Sequence, residues 1–389
     1  MSKRISLAAV LATAGATLGA LLVPVSAQPA RADYAPASND VVGVGSAALS
    51  YVMDFGADGD PSGDTGFNSA GHPYKLVSFN ASSDANNREM FLNDSVPMTP
   101  TVVYRGQTYP VQRVDGDFAG AGALLNDSAS DNLNFLEHFG QVPDFVEASY
   151  QVFTLGTESL QIAADTTTNA PAGLSGQQLL AIYQCTDTKW TQVGGSSSST
   201  IVPVLPPAGT DIYTLFVNYL DSLDNGTVNL SKGCVVTGEE NDPTGITGSS
   251  APADTIEPFP TGLSDLWSGL SGDTAFGASS GIGYFHDPTV PYPGSSTALS
   301  LGIKLLTGTP SDGNPVYSAA EPLQIVYLWP SQTSATPWQP GGTLNWAQTL
   351  FCNPGGSTTP FFQTAAGKIL IAEAGADPAN QSCLASPGG

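Results

Sequence analysis

The chain has 389 residues, 34 of them acidic and 11 basic, for a formal charge of −23. Such a surface disfavours nucleic acid and anionic membranes as partners, but it leaves room for a small anion, because helix N-termini and backbone N–H groups act locally. Charged residues are only 12% and hydrophobic ones 41%, so the chain has the apolar content to fold rather than remain disordered.

The first predicted element is a leader. Lys3 and Arg4 precede an apolar, alanine-rich run from Ile5 to Val25, and two small-x-small sites follow, Val25-Ser-Ala27 and Ala30-Arg-Ala32. This is the pattern of a secretory signal peptide over residues 1–32, cleaved near Ala27 or Ala32. No cysteine lies near either site, and nothing later approaches the roughly 20 apolar residues of a membrane span. The expectation is an exported protein, extracellular or periplasmic, with no membrane insertion. Roughly 355 residues would remain, enough for two domains of ordinary size.

Val41-Val-Gly-Val-Gly45 within Asp40–Ser46 predicts a short apolar strand ending in glycines, and Ala47 to Asp54 begins a helix. Residues 56–73 read as a Gly/Asp/Ser/Pro loop. Lys75 to Phe79 gives a strand, and Thr101 to Val111 gives one or two more around the Arg105-Gly106 turn. A glycine-broken helix follows Arg113 and runs to Leu125. Phe145, Val146, Tyr150, Val152 and Phe153 suggest a core strand, and Leu160-Gln-Ile-Ala-Ala164 alternates onward into a second lobe. Residues 196–200 and 247–254 read as surface loops. Gly281-Ile-Gly-Tyr-Phe285, Leu301 to Leu306 and Leu323 to Leu328 are further strands, and Asn345 to Cys352 is helix-like. Short strands alternating with helices of about 10–15 residues argue for an α/β fold.

The most informative stretch runs from Leu174 through Trp190 to the Gly194-Gly195 stop. Leu174, Leu179, Ile182 and Tyr183 recur at near-helical spacing behind Ser175, a natural N-cap. After it come the strand Ile201-Val-Pro-Val-Leu205 and the glycine turn Ala208-Gly-Thr-Asp-Ile212 into another helix. Helix, tryptophan knob, strand and helix N-terminus together suit the holding of a small ligand. Tyr183 and Trp190 read as core, whereas Trp267, Trp329, Trp338 and Trp346 sit in loop-like spacing and are candidates to line a cleft.

This block, read as LT-x-x-QL-x-x-IY-x-C-x-x-x-x-W-x-x-VGG followed by a strand and P-x-AGSGT, resembles the type II periplasmic binding proteins, and among them the phosphate-binding proteins of ABC transporters, especially their actinobacterial branch. Shorter matches at Gly43–Ser46, Arg113–Gly120, Asp144-Phe145, Glu239–Asp242 and Gly281–Phe285 keep the same order along the chain. The resemblance implies a two-lobed α/β fold with a ligand cleft between lobes: residues 33–155 plus 300–389 as one lobe and 156–299 as the other. It implies a solute-binding protein rather than an enzyme, with no cofactor, a small-molecule ligand such as phosphate, and an ABC transporter permease as partner. Position by position, the ligand-binding residues would be Ser46, Ala47, Gly116, Asp117, Glu147, Ser149, Gly209, Thr210 and Asp211.

The chain departs from the family at these places. Gly45-Ser-Ala-Ala-Leu49 stands for GSDTT, Arg113-Val-Asp-Gly-Asp117 for RPNGS, Asp144-Phe-Val-Glu-Ala-Ser149 for DFARSS, and Ala208-Gly-Thr-Asp-Ile212 for AGSGT. Three carboxylates, Asp117, Glu147 and Asp211, thus fall where an oxyanion would be faced. Two unit charges about 4 Å apart repel by roughly 4 kcal/mol at an effective dielectric near 20, enough to remove several decades of affinity. The expectation is altered or lost phosphate recognition, with a neutral, hydroxyl-rich or cationic solute in its place. The plainer alternative is that Asp117 and Asp211 simply cap helices and that Glu147 is solvated or salt-bridged.

Cys185, Cys234, Cys352 and Cys383 are even in number and lack metal-site spacing, so disulfides are expected in an exported chain. Cys185–Cys234 and Cys352–Cys383 close shorter loops than the other pairings, and each falls within one inferred lobe. Asp58-Gly-Asp60 with Asp64 resembles a loose calcium loop but lacks the full ligand order, so no metal is expected. Two other functions stay open: a secreted protein that kept the fold for adhesion or partner binding, and a secreted hydrolase. His72, His138 and His286 are the histidines, and no Gly-x-Ser-x-Gly elbow accompanies them.

Overall fold

The computed structural model describes residues 35–60, 64–79, 89–90, 94–97, 101–114, 116–127, 132–140, 150–165, 168–224, 226–230, 233–238, 246, 254–260, 303–328, 345–353 and 355–384. The signal-peptide reading, Glu147, Ser149, the Gly281–Phe285 strand, and Trp267, Trp329 and Trp338 lie outside them.

Strand β1 (Val41–Gly45) passes through a 3-10 turn at Ala47–Leu49 into α1 (Ser50–Asp58), and β2 (Leu76–Phe79) follows. Two small antiparallel pairs come next: β3 (Glu89–Met90) with β4 (Asp94–Pro97), and β5 (Thr101–Val102) with β6 (Val111–Gln112). Then come α2 (Asp117–Asp127), β7 (Phe135–Phe139) and the long β8 (Tyr150–Asp165). The chain continues through α3 (Gly176–Tyr183), β9 (Val202–Leu205), α4 (Asp211–Asp224), β10 (Val236–Thr237) and β11 (Thr255–Pro260). It ends with β12 (Ile303–Leu305), β13 (Ala319–Leu328), α5 (Asn345–Leu350), α6 (Ala365–Glu373) and β14 (Ser382–Leu384). The protein is α/β, as the alternation of elements predicted.

One mixed sheet organises it, in the order β10-β9-β11-β8-β13-β7-β1-β2, with β12 and β14 also pairing with β8. At one end β1 runs parallel to β2 and β7. At the other, β9 runs parallel to β10 and β11. Between them β8 is antiparallel to β11 and β13, so its two halves serve different ends of the sheet. The sequence reading broke this strand in two, and the expected lobe boundary at residue 155 falls inside it. Residues 32–389 form one compact unit.

Period-two alternation on these strands sorts the apolar side chains onto opposite faces. Phe135, Phe153, Leu323 and Ile325 turn to one face, with Phe55 of α1, Leu350 of α5 and Leu370 of α6. Val42, Val44, Leu136 and Val326 turn to the other, beneath Ala121 and Leu124 of α2. At the far end Leu179, Ile182, Tyr183, Trp190, Phe216 and Leu220 close over Ile162 and Ile256. Trp346 belongs to the first of these clusters and is 8% exposed, which corrects its reading as a cleft residue. The loop predicted over 56–73 likewise starts later, because α1 continues to Asp58, and a short 3-10 turn forms at Phe67–Ala70.

Local signals explain α3. Ser175 Oγ accepts the Gln178 N–H at 3.2 Å, and Gln178 Oε1 accepts the Ser175 N–H at 3.0 Å, a reciprocal capping box. Both disulfides form in the expected pairing, Cys185–Cys234 and Cys352–Cys383.

Where β8 and β13 pair, Glu158 stands directly opposite Glu321. Burial raises the Glu321 carboxyl above its ordinary value. The native state then holds this proton more tightly than the unfolded chain, so stability falls as pH rises from the ordinary carboxyl range through the raised native value. Glu321→Gln removes that penalty. Thermal melts between pH 4 and 8 should show the variant gaining on the parent towards neutral pH and matching it at the acidic end.

Candidate functional site

The carboxyl ends of the parallel strands β1 and β7 are where three distant segments meet. The chain leaves β1 at Gly45, whose φ of +147° is open to glycine. A methyl group there would also run into the Glu137 carbonyl. Ser46 then donates its N–H to the Glu137 carbonyl at 2.8 Å, while its hydroxyl accepts the Ala48 N–H at 3.2 Å. Ser46 and Ala47 are fully buried.

The second segment enters at Gly116, whose N–H donates to the Gly45 carbonyl at 3.2 Å. Helix α2 starts at Asp117, and Gly120 lets it lie close on the backbone of Val44 and Gly45. The third segment turns at Gly209 and starts α4 at Asp211. The Thr210 hydroxyl is turned back to the Pro207 carbonyl at 3.0 Å. Second and third segments touch: a methyl on Gly116 would stand 2.9 Å from the Gly209 oxygen.

The sequence-predicted Ser46, Ala47, Gly116, Asp117, Gly209, Thr210 and Asp211 therefore occupy one neighbourhood. The two acidic residues are bonded within it. The Asp117 N–H donates to Asp211 Oδ1 at 3.0 Å. Asp117 Oδ1 accepts the Phe139 N–H at 3.0 Å, and its Oδ2 lies 2.8 Å from His138 Nδ1. Asp117, Asp211 and His138 are all buried. Burial pushes the Asp117 carboxyl up, against the opposing pull of His138, the Phe139 N–H and the Asp211 side chain.

Reading the sequence missed β7 and with it Glu137 and His138. Glu137 is 1% exposed, and the Ser78 hydroxyl donates to its Oε1. Charged residues inside Phe135-Leu-Glu-His-Phe139 were the available signal, since buried carboxylates and imidazoles need a reason. The strand shows no alternation because both faces are covered.

Chemically, the junction offers backbone N–H groups at helix N-termini, a Ser46 hydroxyl engaged in capping, and a carboxylate–imidazole pair whose ring is oriented by Asp117. Ligand positions outside the carboxyl ends of strands are the usual place for a site in an α/β sheet. The acidic loop lies elsewhere. Asp60, Asp64 and Glu373 come within 4.8 Å of one another, but Asp60 Oδ1 accepts the Asp64 N–H at 2.6 Å and Asp58 Oδ1 accepts from Asn68 at 2.9 Å.

No protein-family profile matches the sequence, and no curated protein does. Solved structures do. An ABC-type phosphate transport receptor from Vibrio cholerae is similar at 15% identity and a TM-score of 0.41, over 87% of this chain and 99% of that one. PstS from Borrelia burgdorferi is similar at 11% and 0.37, over 86% and 96%. A high-affinity periplasmic phosphate-binding protein solved with phosphate bound is similar at 13% and 0.46, over 87% and 90%. What this junction does has to be read from its own geometry. No helix among the described residues is long and apolar enough to cross a membrane.

Proposed function

We propose that the chain is an exported solute-binding protein that captures a small ligand without covalent chemistry and presents it to an ABC transporter permease. Residues 33–155 with 300–389 would be one lobe and 156–299 the other, with the ligand held at the junction described above. The observation that supports this most is the meeting of Gly45-Ser46, Gly116-Asp117 and Gly209–Asp211 at strand ends, from positions far apart in sequence. Glu147 and Ser149 complete the proposed lining.

The ligand class follows from charge. Asp117 and Asp211 stand buried among the helix N-terminal N–H groups that a bare oxyanion would need. Adding a phosphate there sets like charges against each other at low effective dielectric. A neutral, hydroxyl-rich or cationic solute fits these acceptors better. Calorimetry with phosphate at neutral pH should give no binding heat, and a thermal-shift screen of sugars, polyols and cations should give a saturable rise in melting temperature with one of them. Micromolar phosphate binding would overturn the ligand class. A screen without any response would overturn the solute-binding reading itself.

A further inference from the structure

The Asp211 carboxylate has a partner outside its own helix, the first N–H of α2. Helices α2 and α4 bury their apolar faces in different places. Ala121 and Leu124 of α2 lie under one end of the sheet, whereas Phe216 and Leu220 of α4 pack with Trp190 and Tyr183 at the other, and Ile212 belongs to the cluster that includes α1. The apolar residues of α2 and of α4 thus belong to separate clusters, and their N-termini meet through polar and backbone groups. The Asp117 N–H donates to Asp211 Oδ1 at 3.0 Å, and Gly116 comes so close to Gly209 that a methyl group on it would stand 2.9 Å from the Gly209 oxygen.

We propose that Asp211 is a tethered internal ligand: its carboxylate caps the N-terminus of α2 and holds the two ends of the sheet together with no solute present. The physical case is local. The first N–H groups of a helix have no intrahelical acceptor, and an anion there is favoured by the helix dipole. Asp211 lies in the first turn of α4 and its Oδ1 reaches the first N–H of α2, so a carboxylate carried by one helix N-terminus caps the other. Asp117 does not cap its own helix, because its carboxyl meets the Phe139 N–H, His138 and the Asp211 side chain instead. Gly116, at φ +85°, supplies the close approach that makes the reach short enough.

In a binding protein of the kind proposed above, a solute ordinarily bridges the halves and closure follows its arrival. Here the bridge is covalently part of one half. Closure is then the resting state, and an anion entering the junction has to displace Asp211 first. This consequence rests on the solute-binding reading; the latch itself does not.

Hydrogen exchange on the full mature protein, with no solute added, tests the latch. In Asp211→Ala the Asp117 amide should lose protection about tenfold or more, the scale expected for one hydrogen bond to a charged acceptor. Amides of α3, remote from the junction, should keep theirs, and the radius of gyration in solution scattering should rise. Asp211→Asn retains a carbonyl acceptor and should fall between parent and alanine variant. Gly116→Val, which leaves the carboxylate intact but blocks the approach, should reproduce the loss. Unchanged exchange at Asp117 in Asp211→Ala would overturn the proposal. So would a uniform loss extending through α3, which would make Asp211 a fold residue. A silent ligand screen combined with the predicted exchange pattern would remove the solute-binding reading and leave the latch standing.

Discussion

Replacing Trp190 with alanine is expected to lower stability by about 3–5 kcal/mol, the range for emptying a large aromatic site in a close-packed core. Trp190 is fully buried and is among the largest such side chains in the molecule. It sits with Tyr183, Val193, Ile201 and Phe216 in one cluster, where Tyr183 and Phe216 meet edge to face at 4.9 Å. Gly195 folds back so tightly that a methyl there would stand 2.7 Å from the Trp190 Cβ. Little in this surrounding can collapse into the vacated space. The effect should reach the candidate site, because Phe216 and Leu220 of that cluster hold α4 and so position Thr210 and Asp211. Urea melts check the magnitude, with Trp190→Phe as the milder control. A loss below about 1 kcal/mol would contradict the core assignment.

The second large effect is the loss of the Cys185–Cys234 bridge. It closes 49 residues of sequence separation, for which chain entropy alone gives about 4 kcal/mol. The enclosed segment holds Trp190, β9 and α4, so the bridge ties together the elements that carry one third of the junction. Cys185 also adopts a left-handed conformation, φ 57°, just beyond the end of α3. Glycine usually takes that position, and the side chain here is retained by its covalent partner. Cys185→Ser with Cys234→Ser should therefore lower the midpoint of urea unfolding by an amount matching about 2–5 kcal/mol. A dithiothreitol-treated parent should melt below the oxidised protein. Equal midpoints for the double variant and the parent would sink this prediction.

Some of this protein was legible before its structure. Helix α3 was readable because a capping serine, a glutamine three residues on and an apolar stripe all agree. The disulfide pairing followed from loop length. The neighbourhood of Ser46, Gly116-Asp117 and Gly209–Asp211 was approached through family resemblance, and the glycines that permit the close turns are visible in the sequence. Strand β7 was not legible, because burial on both faces removes the alternation that marks a strand. Nor was the continuity of β8, whose side chains change partners midway while the backbone runs on. The opposition of Asp211 to the α2 backbone was invisible as well. A sequence shows that an aspartate is present, but not that it crosses to another helix.

Strand β8 carries a consequence for how the chain is made. Its partners β11, β12, β13 and β14 all lie later in the sequence, and β13, ending at Leu328, is the strand that joins it to β7. Among the described residues, a chain delivered N-terminus first therefore holds its longest strand before any of that strand's partners has arrived. Such late, long-range pairing slows folding and leaves backbone edges open to other chains. A chain stopped before Ala319 would have nothing to set between β7 and β8.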